Sequence, residues 1–476
     1  MSQFTMSLNY SFIILIVFLL NNLNAESKKL LVFTFSPSLG EIEHISSRYN
    51  VSKLISLGDN LHVLPGEFDS ELHETIKLES QKDWWVTEDI VVRKINPVNI
   101  DQFEDIGNGG CDPPPPGMGG NLSVDPGAVK FKNITNGITV QSNVKSWGLD
   151  RIDQRIRPLS KTYNFEQSAG EGVDVYVVDT GININHVDFE GRARWGLNAV
   201  PDTVDNDLLG HGTFVAGIIG GKVYGVAKKV NLIAVKCLDD RGEGTLNSIL
   251  YGFEYVMKQH NATKRPAIAN LSFGTERNKL VDMAVNQLVS AGIIVVAAAG
   301  NGDEYGRPED ACNSSPAASR LAITVGATST NDTIASWSNR GPCITLFAPG
   351  QSVTSDLACT NHNAGVESGT SFSAPYVSGI IALMLSKYKE SNLNPQSIMI
   401  YLTQLATKDV IRGLPKTRSP NLLAYSQVQE LEEVIGGAVS DKIFGIGGTI
   451  VCHVVGVFLL IEAIKFVLGV GGIYCA

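Results

Sequence analysis

Four short glycine-flanked motifs carry the residue types of nucleophilic catalysis. They place Asp179 in GVDVYVVDTGI, His211 in GHGTFVAGIIGG, Asn301 in IIVVAAAGN and Ser371 in ESGTSFSAPYVSG. A serine hydroxyl becomes a useful nucleophile when an imidazole takes its proton and a carboxylate orients that imidazole. Taken singly, each residue has an ordinary structural explanation, such as a helix N-cap for Ser371. Their occurrence together in one domain favours a catalytic triad with an amide donor for an oxyanion.

The residues around the motifs predict the elements that position them. Asp179 follows a run of β-branched residues typical of a buried parallel strand, and open α/β sheets place working residues at the carboxyl ends of such strands. His211 opens a small and apolar stretch spaced for a buried helix, and Asn301 follows a second buried strand. Ser371 begins another apolar helical run, whose N-terminal N–H groups favour an oxygen bound beside them. The pattern predicts an α/β domain.

The motifs VDTGI, GHGTFVAG, AAAGN and SGTSFSAP resemble those of the subtilisin-like serine proteases, in the branch of proteinase K and the fungal vacuolar proteases. The resemblance covers about 147–425 and includes WGLDRID and SPAASRLAITVGAT. It implies a three-layer α/β fold with a mostly parallel central sheet. It also implies that Ser371 is the nucleophile, that His211 is the general base oriented by Asp179, and that the Asn301 amide binds the oxyanion.

The same resemblance implies that substrate binds as an added β-strand between two edges. These edges match 242–244, with Gly242 and Gly244, and 271–274, with Leu271 and Gly274. The matched walls of the first pocket are Ala298, Ala299 and Gly300, with Ala311 and Ser314 near its base. Because these positions carry no acid, we expect broad selectivity with an uncharged, mostly apolar P1 side chain. The acids Asp303, Glu304, Glu309 and Asp310 in the following loop leave open a charged pocket.

The cysteines and one threonine add further expectations. The resemblance implies a disulfide between Cys312 and Cys343, whereas Cys237 lies in an apolar strand and is predicted to be a buried free thiol. Cys111 and Cys359 have no assigned partner. Where relatives carry an aspartate that binds calcium, this chain has Thr345. Because Ca²⁺ prefers carboxylate ligands, we expect no cofactor and regard that calcium site as doubtful.

The first 146 residues predict three segments ahead of the catalytic domain at 147–425. The apolar run FIILIVFLL is too short to span a bilayer and indicates a signal peptide at 1–25. Residues 26–97 resemble the inhibitory propeptide of the family, and their pattern fits a ferredoxin-like βαββαβ unit. Residues 98–146 contain CDPPPPGMGG and predict an exposed linker that holds the processing site. Asn121 and Asn133 in this linker are glycosylation sequons.

The C-terminal residues predict a stalk at 426–442 and a hydrophobic segment at 443–476. Residues 444–461 are 18 in number with one histidine as the sole ionisable side chain, which is just enough to span a membrane. Three interpretations stay open: a transmembrane anchor, a lipid-anchor signal that is removed, and a helix packed on the protein itself.

Composition limits the class of function. The chain has 476 residues with a net charge of −10, which argues against a nucleic-acid partner. We predict a monomeric serine endopeptidase, made as a zymogen, that acts on proteins or peptides and is inhibited by its own propeptide. It is expected in the secretory pathway, either secreted or anchored at a membrane, with a vacuole-like compartment also open. The alternative is a catalytically silent relative that serves as a surface binding module.

Overall fold

The computed structural model describes residues 28–34, 54–58, 61–68, 84–95, 122–133, 137–415 and 418–432. The predicted signal peptide and the predicted membrane span at 444–461 lie outside these residues. Among the residues that are described, no helix is both long enough and apolar enough to cross a membrane.

The N-terminal region contributes an antiparallel sheet of four strands with the order β2-β3-β1-β4. Its strands are β1 (Lys28–Thr34), β2 (Ile55–Leu57), β3 (Leu61–Phe68) and β4 (Trp84–Glu88). The strand β5 (Val91–Lys94) follows and pairs elsewhere. The segments predicted as helices of a βαββαβ unit lie outside the described residues, so the ferredoxin-like assignment stays a prediction.

Short strands follow at β6 (Leu122–Ser123), β7 (Phe131–Asn133), β8 (Ile138–Ser142) and β9 (Thr162–Glu166). The strand β8 pairs along its length with β9, and its alternating burial places Thr139 and Gln141 inside and leaves Val140 partly exposed. The prediction of an exposed linker across all of 98–146 is therefore wrong for 138–142. Its proline and glycine punctuation ends before β8, and β-branched residues there favour pairing.

A nine-stranded sheet forms the centre of the catalytic domain, in the order β11-β12-β10-β14-β16-β18-β19-β23-β22. All neighbouring strands in it run parallel except β22 and β23. The bounds are β10 (Asp174–Asp179), β11 (Ala193–Asn198), β12 (Asn231–Lys236), β14 (Ala267–Leu271), β16 (Ile294–Ala298), β18 (Ile323–Thr328), β19 (Leu346–Pro349), β22 (Thr407–Lys408) and β23 (Leu422–Leu423). Every residue of β10, β14 and β16 is buried, as expected for strands covered on both faces.

Smaller strands flank this sheet and complete two others. They are β13 (Glu243–Thr245), β15 (Phe273–Glu276), β17 (Ser314–Ser315), β20 (Val353–Asp356) and β21 (Asn363–Glu367). The strands β13, β5, β15 and β17 form a four-stranded sheet in that order, and β20, β21 and β6 form a three-stranded one.

Helices cover both faces of the central sheet, which gives the three layers expected. The helices are α1 (Trp147–Ile152), α2 (His211–Gly220), α3 (Leu246–Thr263), α4 (Lys279–Ser290), α5 (Thr370–Lys387) and α6 (Pro395–Leu405). The apolar faces of α3 and α4 pack with Val178 and Val235 of the sheet. The helices α2 and α5 contact each other, and α5 also contacts β14, β16 and β18.

The disulfide and the free thiol lie where they were predicted. Cys312 and Cys343 form a disulfide with their Cα atoms 5.4 Å apart. A bridge between residues 31 apart stabilises the fold by about 3–4 kcal/mol on the chain-entropy model. Cys237 is buried and free, and burial raises the pKa of its thiol well above the usual range. Cys359, which had no assigned partner, is disulfide-bonded.

Candidate active site

Asp179 and His211 form a short hydrogen-bonded pair at the carboxyl end of β10. Nδ1 of His211 lies 2.7 Å from Oδ1 of Asp179, and both side chains are buried. This approach requires Gly212, because a Cβ atom there would lie 2.1 Å from the carbonyl oxygen of Gly181. The loop before α2 is held by Asp207, which accepts hydrogen bonds from the backbone N–H of Gly210 and from Thr213.

Ser371 lies in the first turn of α5, next to a residue whose ring contacts the imidazole of His211. The ring of Phe372, the next residue, is 5.3 Å from the His211 ring. The Ser371 hydroxyl lies 3.1 Å from the carbonyl oxygen of Ser272, and the Ser272 hydroxyl donates back to the Ser371 carbonyl at 2.8 Å. Nε2 of His211 has no hydrogen-bond partner among the described residues, so the described contacts leave that nitrogen available for a proton.

The Asn301 amide is fixed by the turn that begins α5. Its Oδ1 accepts hydrogen bonds from the backbone N–H and the hydroxyl of Thr370, both at 2.9 Å. With Oδ1 held in this way, the amide turns its Nδ2 toward the cleft, 3.5 Å from the carbonyl oxygen of Ile95. An N–H donor in that orientation stabilises negative charge on a carbonyl oxygen.

The strand β5 lies between β13 and β15, antiparallel to both. In the register of this sheet Arg93 faces Glu243 on one side and Gly274 on the other. The backbone N–H of Lys94 also donates to the carbonyl of Gly242 at 2.8 Å. The predicted edges at Gly242, Gly244 and Gly274 thus bind an extended chain. Leu271 does not, because it lies in β14 and pairs within the central sheet.

Ile95 follows β5 and brings a peptide carbonyl to the Ser371 hydroxyl and the Asn301 amide. Its oxygen lies 3.3 Å from Oγ of Ser371 and 3.5 Å from Nδ2 of Asn301. Its side chain points toward Gly274, where a Cβ atom would be 3.5 Å from Cγ1 of Ile95. Sequence reasoning missed this residue, although the apolar strand pattern of DIVVRKI ahead of the linker was a signal for it.

Comparison with known proteins identifies the family of this chain. The sequence matches the subtilase family, peptidase S8, over residues 170–447. The chain belongs to the subtilase family. It is 39% identical over 297 residues to the subtilase-type proteinase psp3 of Schizosaccharomyces pombe, which covers 61% of this chain and 64% of that protein. It is 44% identical over 282 residues to an extracellular serine proteinase of Thermus, covering 59% of this chain and 66% of that one.

A solved structure is also similar to this subtilase. The crystal structure of a cold-adapted subtilisin-like serine proteinase aligns with a TM-score of 0.55 and 39% identity, covering 60% of this chain and 99% of that one. The subtilisin-like fold and the family expected from the motifs are thereby confirmed. The chain spans just under two thirds of the length of the two curated relatives named above.

The predicted pocket residues of this subtilase lie in the segment that leads to Asn301. Ala298 ends β16, and Ala298, Ala299 and Ala311 are buried. Two of the loop acids that left a charged pocket open are engaged locally. Asp303 pairs with Arg307, and Asp310 accepts a hydrogen bond from the Cys312 N–H. The expectation of an apolar first pocket stays a prediction.

Thr345, at the expected calcium position, is hydrogen-bonded to Thr324 of the neighbouring strand. Its hydroxyl accepts from the backbone N–H of Thr324 at 3.1 Å, and its own N–H donates to the Thr324 carbonyl at 2.8 Å. Within the described ranges no group of three or more histidine, cysteine or acidic side chains could hold a metal ion. Thr345 thus offers no carboxylate to calcium, and the absence of a cofactor stays an expectation.

A second histidine–aspartate pair is buried behind α2. Nδ1 of His186 lies 3.7 Å from Oδ1 of Asp356, and both side chains are fully buried. The Asp356 carboxyl also faces that of Asp188, close enough for a hydrogen bond when one of them is protonated. Burial and the charge of Asp188 raise the pKa of Asp356 well above its usual range. Asp188 in turn accepts hydrogen bonds from the backbone N–H groups of Val223 and Tyr224.

Proposed function

We propose that the protein is a serine endopeptidase that is made as a self-blocked precursor. The observation that carries this proposal is the position of the Ile95 carbonyl oxygen, 3.3 Å from Oγ of Ser371 and 3.5 Å from Nδ2 of Asn301. A peptide carbonyl held by a hydroxyl on one side and an amide donor on the other has the arrangement that acyl transfer requires.

The chemistry follows from the protonation of His211. Its Nδ1–H donates to Asp179, which leaves the lone pair of Nε2 to accept the Ser371 proton as Oγ bonds to the peptide carbon. The carbonyl oxygen becomes an oxyanion, and Nδ2 of Asn301 donates to it. The C–N bond then breaks, and the proton on Nε2 passes to the leaving amine. Water releases the acyl group by the same steps in reverse order.

The N-terminal region covers the active site in the precursor. Besides β5 in the cleft, its sheet packs Leu57 and Leu61 into the same apolar cluster as Phe253 of α3. The Ser56 N–H donates to Oε1 of Glu254 at 3.0 Å. Oδ1 of Asp89 accepts from the N–H of Asn247 at 2.9 Å, where a carboxylate is favoured by the helix dipole. These contacts support an inhibitory role for the prosegment.

The position of Ile95 also revises the predicted processing site. The sequence pointed to a bond within 98–146, but the carbonyl carbon beside Ser371 belongs to the peptide bond between Ile95 and Asn96. We therefore place the first self-cleavage at Ile95–Asn96, three residues before the predicted linker and with an apolar residue at P1.

Location and assembly stay part of the proposal. The signal-peptide pattern supports entry into the secretory pathway, and a relative from Thermus is named an extracellular proteinase. Tethering through 444–461 and a monomeric state rest on the sequence alone. The relatives named as proteinases favour the endopeptidase over a silent binding module.

The test compares Ser371→Ala with Ser373→Ala, a matched loss of a buried hydroxyl from the same helix. We expect the full-length Ser371→Ala chain to fold, to stay uncleaved and to resist labelling by a fluorophosphonate. The wild type and Ser373→Ala should mature to a chain that begins at Asn96 after the first cut, as read by terminal sequencing. Maturation of purified Ser371→Ala at the wild-type rate would show that the nucleophile is misassigned.

A further inference from the structure

Residues 122–133, which we call the strap, are attached by strand pairing at both of their ends. At the first end, β6 runs antiparallel to β21, with Leu122 opposite Ala364. The backbone N–H of Val124 then donates to the carbonyl oxygen of His362 at 2.7 Å. At the second end, all three residues of β7 pair antiparallel with β8. The strap is therefore built into two sheets that also contain strands of the catalytic domain.

Val124 is the one residue of the strap that is buried. It is 4% exposed and packs in an apolar cluster with Val223, Tyr224 and Ala364. The strand β6 beside it has only two residues and can make few backbone hydrogen bonds of its own. Because burial of an apolar side chain is favourable, the attachment of this end of the strap depends on Val124.

The strap packs against the surroundings of two buried ionisable groups. The backbone N–H groups of Val223 and Tyr224, which pack with the strap, donate to the Asp188 carboxyl at 2.8 Å and 3.4 Å. The ring of Phe131 faces the ammonium of Lys228, with Nζ 5.9 Å from the ring centroid. That ammonium is buried and donates to two backbone carbonyls. Because buried ionisable groups depend on keeping their partners in place, loss of the strap would destabilise this region.

The loop that pairs with the strap also contacts the segment that follows Asp179. The side-chain amide of Asn183, four residues after Asp179, donates to a backbone carbonyl of the loop 358–363 at 3.2 Å. The backbone N–H of Asn183 donates to the hydroxyl of Thr213 at 2.9 Å, two residues after His211. Removal of the strap would therefore loosen a loop that contacts the elements carrying the catalytic pair.

The residue types of the strap would make it a substrate if it were unpaired. It contains Leu122, Val124, Val129 and Phe131, which match the apolar P1 preference expected for this cleft. A protease of this kind binds its substrate as an added strand, so a paired segment must leave its sheet before it can enter the cleft. Pairing of the strap therefore protects bonds that its residue types alone would offer for cleavage.

We propose that the strap sets the end point of self-processing: after the cut at Ile95–Asn96, further cuts fall ahead of Leu122, and the mature enzyme keeps residues 122–133. The inference rests on the proposed endopeptidase function and adds an end point to its maturation. Only chains in which the strap comes loose are trimmed further, and those chains lose activity. The attached strap thus protects the folded enzyme from its own activity.

A first experiment tests the strap without the activity of the protein itself, by treating the full-length Ser371→Ala chain with trypsin. Lys130 and Lys132 have exposed side chains and are the first basic residues after β5. Trypsin could therefore recognise both of them, but the bonds after them lie in β7 or directly beside it. While the domain stays folded, we expect terminal sequencing to find no chain that begins at Phe131 or Asn133.

Val124→Ser and Val366→Ser, in the Ser371→Ala background, form a matched pair for this experiment. Both remove a valine next to the β6–β21 pairing, but Val366 is 51% exposed. Proteolysis follows the population of the locally open form, so we expect cleavage after Lys130 to be about tenfold faster in Val124→Ser and unchanged in Val366→Ser. Val124→Ala, a smaller loss at the same site, should give about a threefold increase and decides if Val124→Ser does not fold.

A second experiment follows self-processing in the chain that keeps Ser371. When the activity of the wild type has become constant, terminal sequencing and intact mass should place every N-terminus between Asn96 and Leu122. In Val124→Ser, N-termini beyond Asn133 should appear, and activity should decay several-fold faster than in Val366→Ser.

The outcomes for the inference and for the proposed function are distinct. Ready cleavage of the strap by trypsin in folded Ser371→Ala, or a fully active wild type that begins beyond Asn133, would overturn the inference and leave the endopeptidase intact. Equal cleavage rates in Val124→Ser and Val366→Ser would overturn the anchoring role of Val124. A wild type that never cuts itself would overturn the endopeptidase and the end point of self-processing, while the trypsin result would still decide whether the strap is attached.

Discussion

Two histidine–aspartate pairs lie in the same domain, and only one has the chemistry of a base. In the first, Nδ1 of His211 is 2.7 Å from Asp179. In the second, Nδ1 of His186 is 3.7 Å from Asp356. Both pairs are buried and both join the same two residue types, so residue type and burial do not distinguish them.

The difference lies in the other ring nitrogen. Nε2 of His186 is 3.0 Å from the carbonyl oxygen of Asn363, which can only accept, so Nε2 carries the proton. Nδ1 then accepts from the Asp188 N–H and faces Asp356 with a lone pair. Burial lowers the pKa of His186 to about 4. A carboxylate makes an imidazole basic only when the remote nitrogen is left without a donor role.

The largest effect should come from converting the first pair. In Asp179→Asn the new amide can donate to Nδ1, which places the His211 proton on Nε2 and removes the lone pair that Ser371 needs. We expect kcat for a peptide to fall by about 10⁴-fold with little change in KM or thermal unfolding. Steady-state kinetics measure this on a catalytic domain expressed apart from its prosegment, with the prosegment added as a separate chain for folding and removed before the assay. A loss below tenfold would mean that Asp179 does not set the tautomer.

A smaller effect is expected from His186→Asn, and it concerns the dependence of the free energy of unfolding on pH. Between pH 6.5 and about 4 the unfolded chain binds a proton at His186 that the folded protein does not, so wild-type stability falls as the pH is lowered through this window. Asparagine can still cap the Asp188 N–H but does not titrate. Between pH 7 and pH 4 the free energy of unfolding of the variant should therefore fall by about 2–3 kcal/mol less than that of the wild type.

Urea unfolding at pH 7, 5 and 4 measures this difference. It compares Ser371→Ala with the double variant Ser371→Ala/His186→Asn. The raised pKa values of Asp188 and Asp356 act in the opposite direction in both proteins, so the difference between the proteins reports His186. Parallel dependence of the free energy of unfolding on pH in the two proteins would contradict the lowered pKa of His186.

The smallest effect should come from Asp356→Asn. Because burial and the charge of Asp188 raise the pKa of Asp356, we expect its carboxyl to be neutral at pH 7 and an amide to replace it without loss of charge. We expect kcat within twofold of wild type and a free energy of unfolding at pH 7 within about 1 kcal/mol. An aspartate-to-asparagine change is thus expected to lower kcat by orders of magnitude in the Asp179–His211 pair and to leave it nearly unchanged in the Asp356–His186 pair. A loss of several kcal/mol would show instead that Asp356 is ionised.

The sequence predicted the catalytic residues better than it predicted the prosegment strand that covers them. Asp179, His211, Asn301 and Ser371 could be found because each follows or begins a buried element with its own local signal. The pairing of β5 with β13 and β15 could not, since an edge strand takes its partners from the docking of a whole region. Leu271 was misplaced for a similar reason: the chain passes from the central sheet to the cleft edge within two residues, and no residue pattern marks that change.

The strand order β13-β5-β15 has a consequence for the mature enzyme. If β5 leaves after cleavage, two facing strand edges lose their partner, and the backbone groups of Gly242, Glu243 and Phe273 turn to water. Unpaired edges bind any extended chain with little regard for its side chains. Unfolded copies of the enzyme itself are such chains, so its inactivation becomes a second-order process whose half-life shortens as concentration rises. While it is bound, the prosegment therefore also protects the enzyme from inactivation by other copies of itself. After the prosegment is lost, only a low enzyme concentration gives this protection.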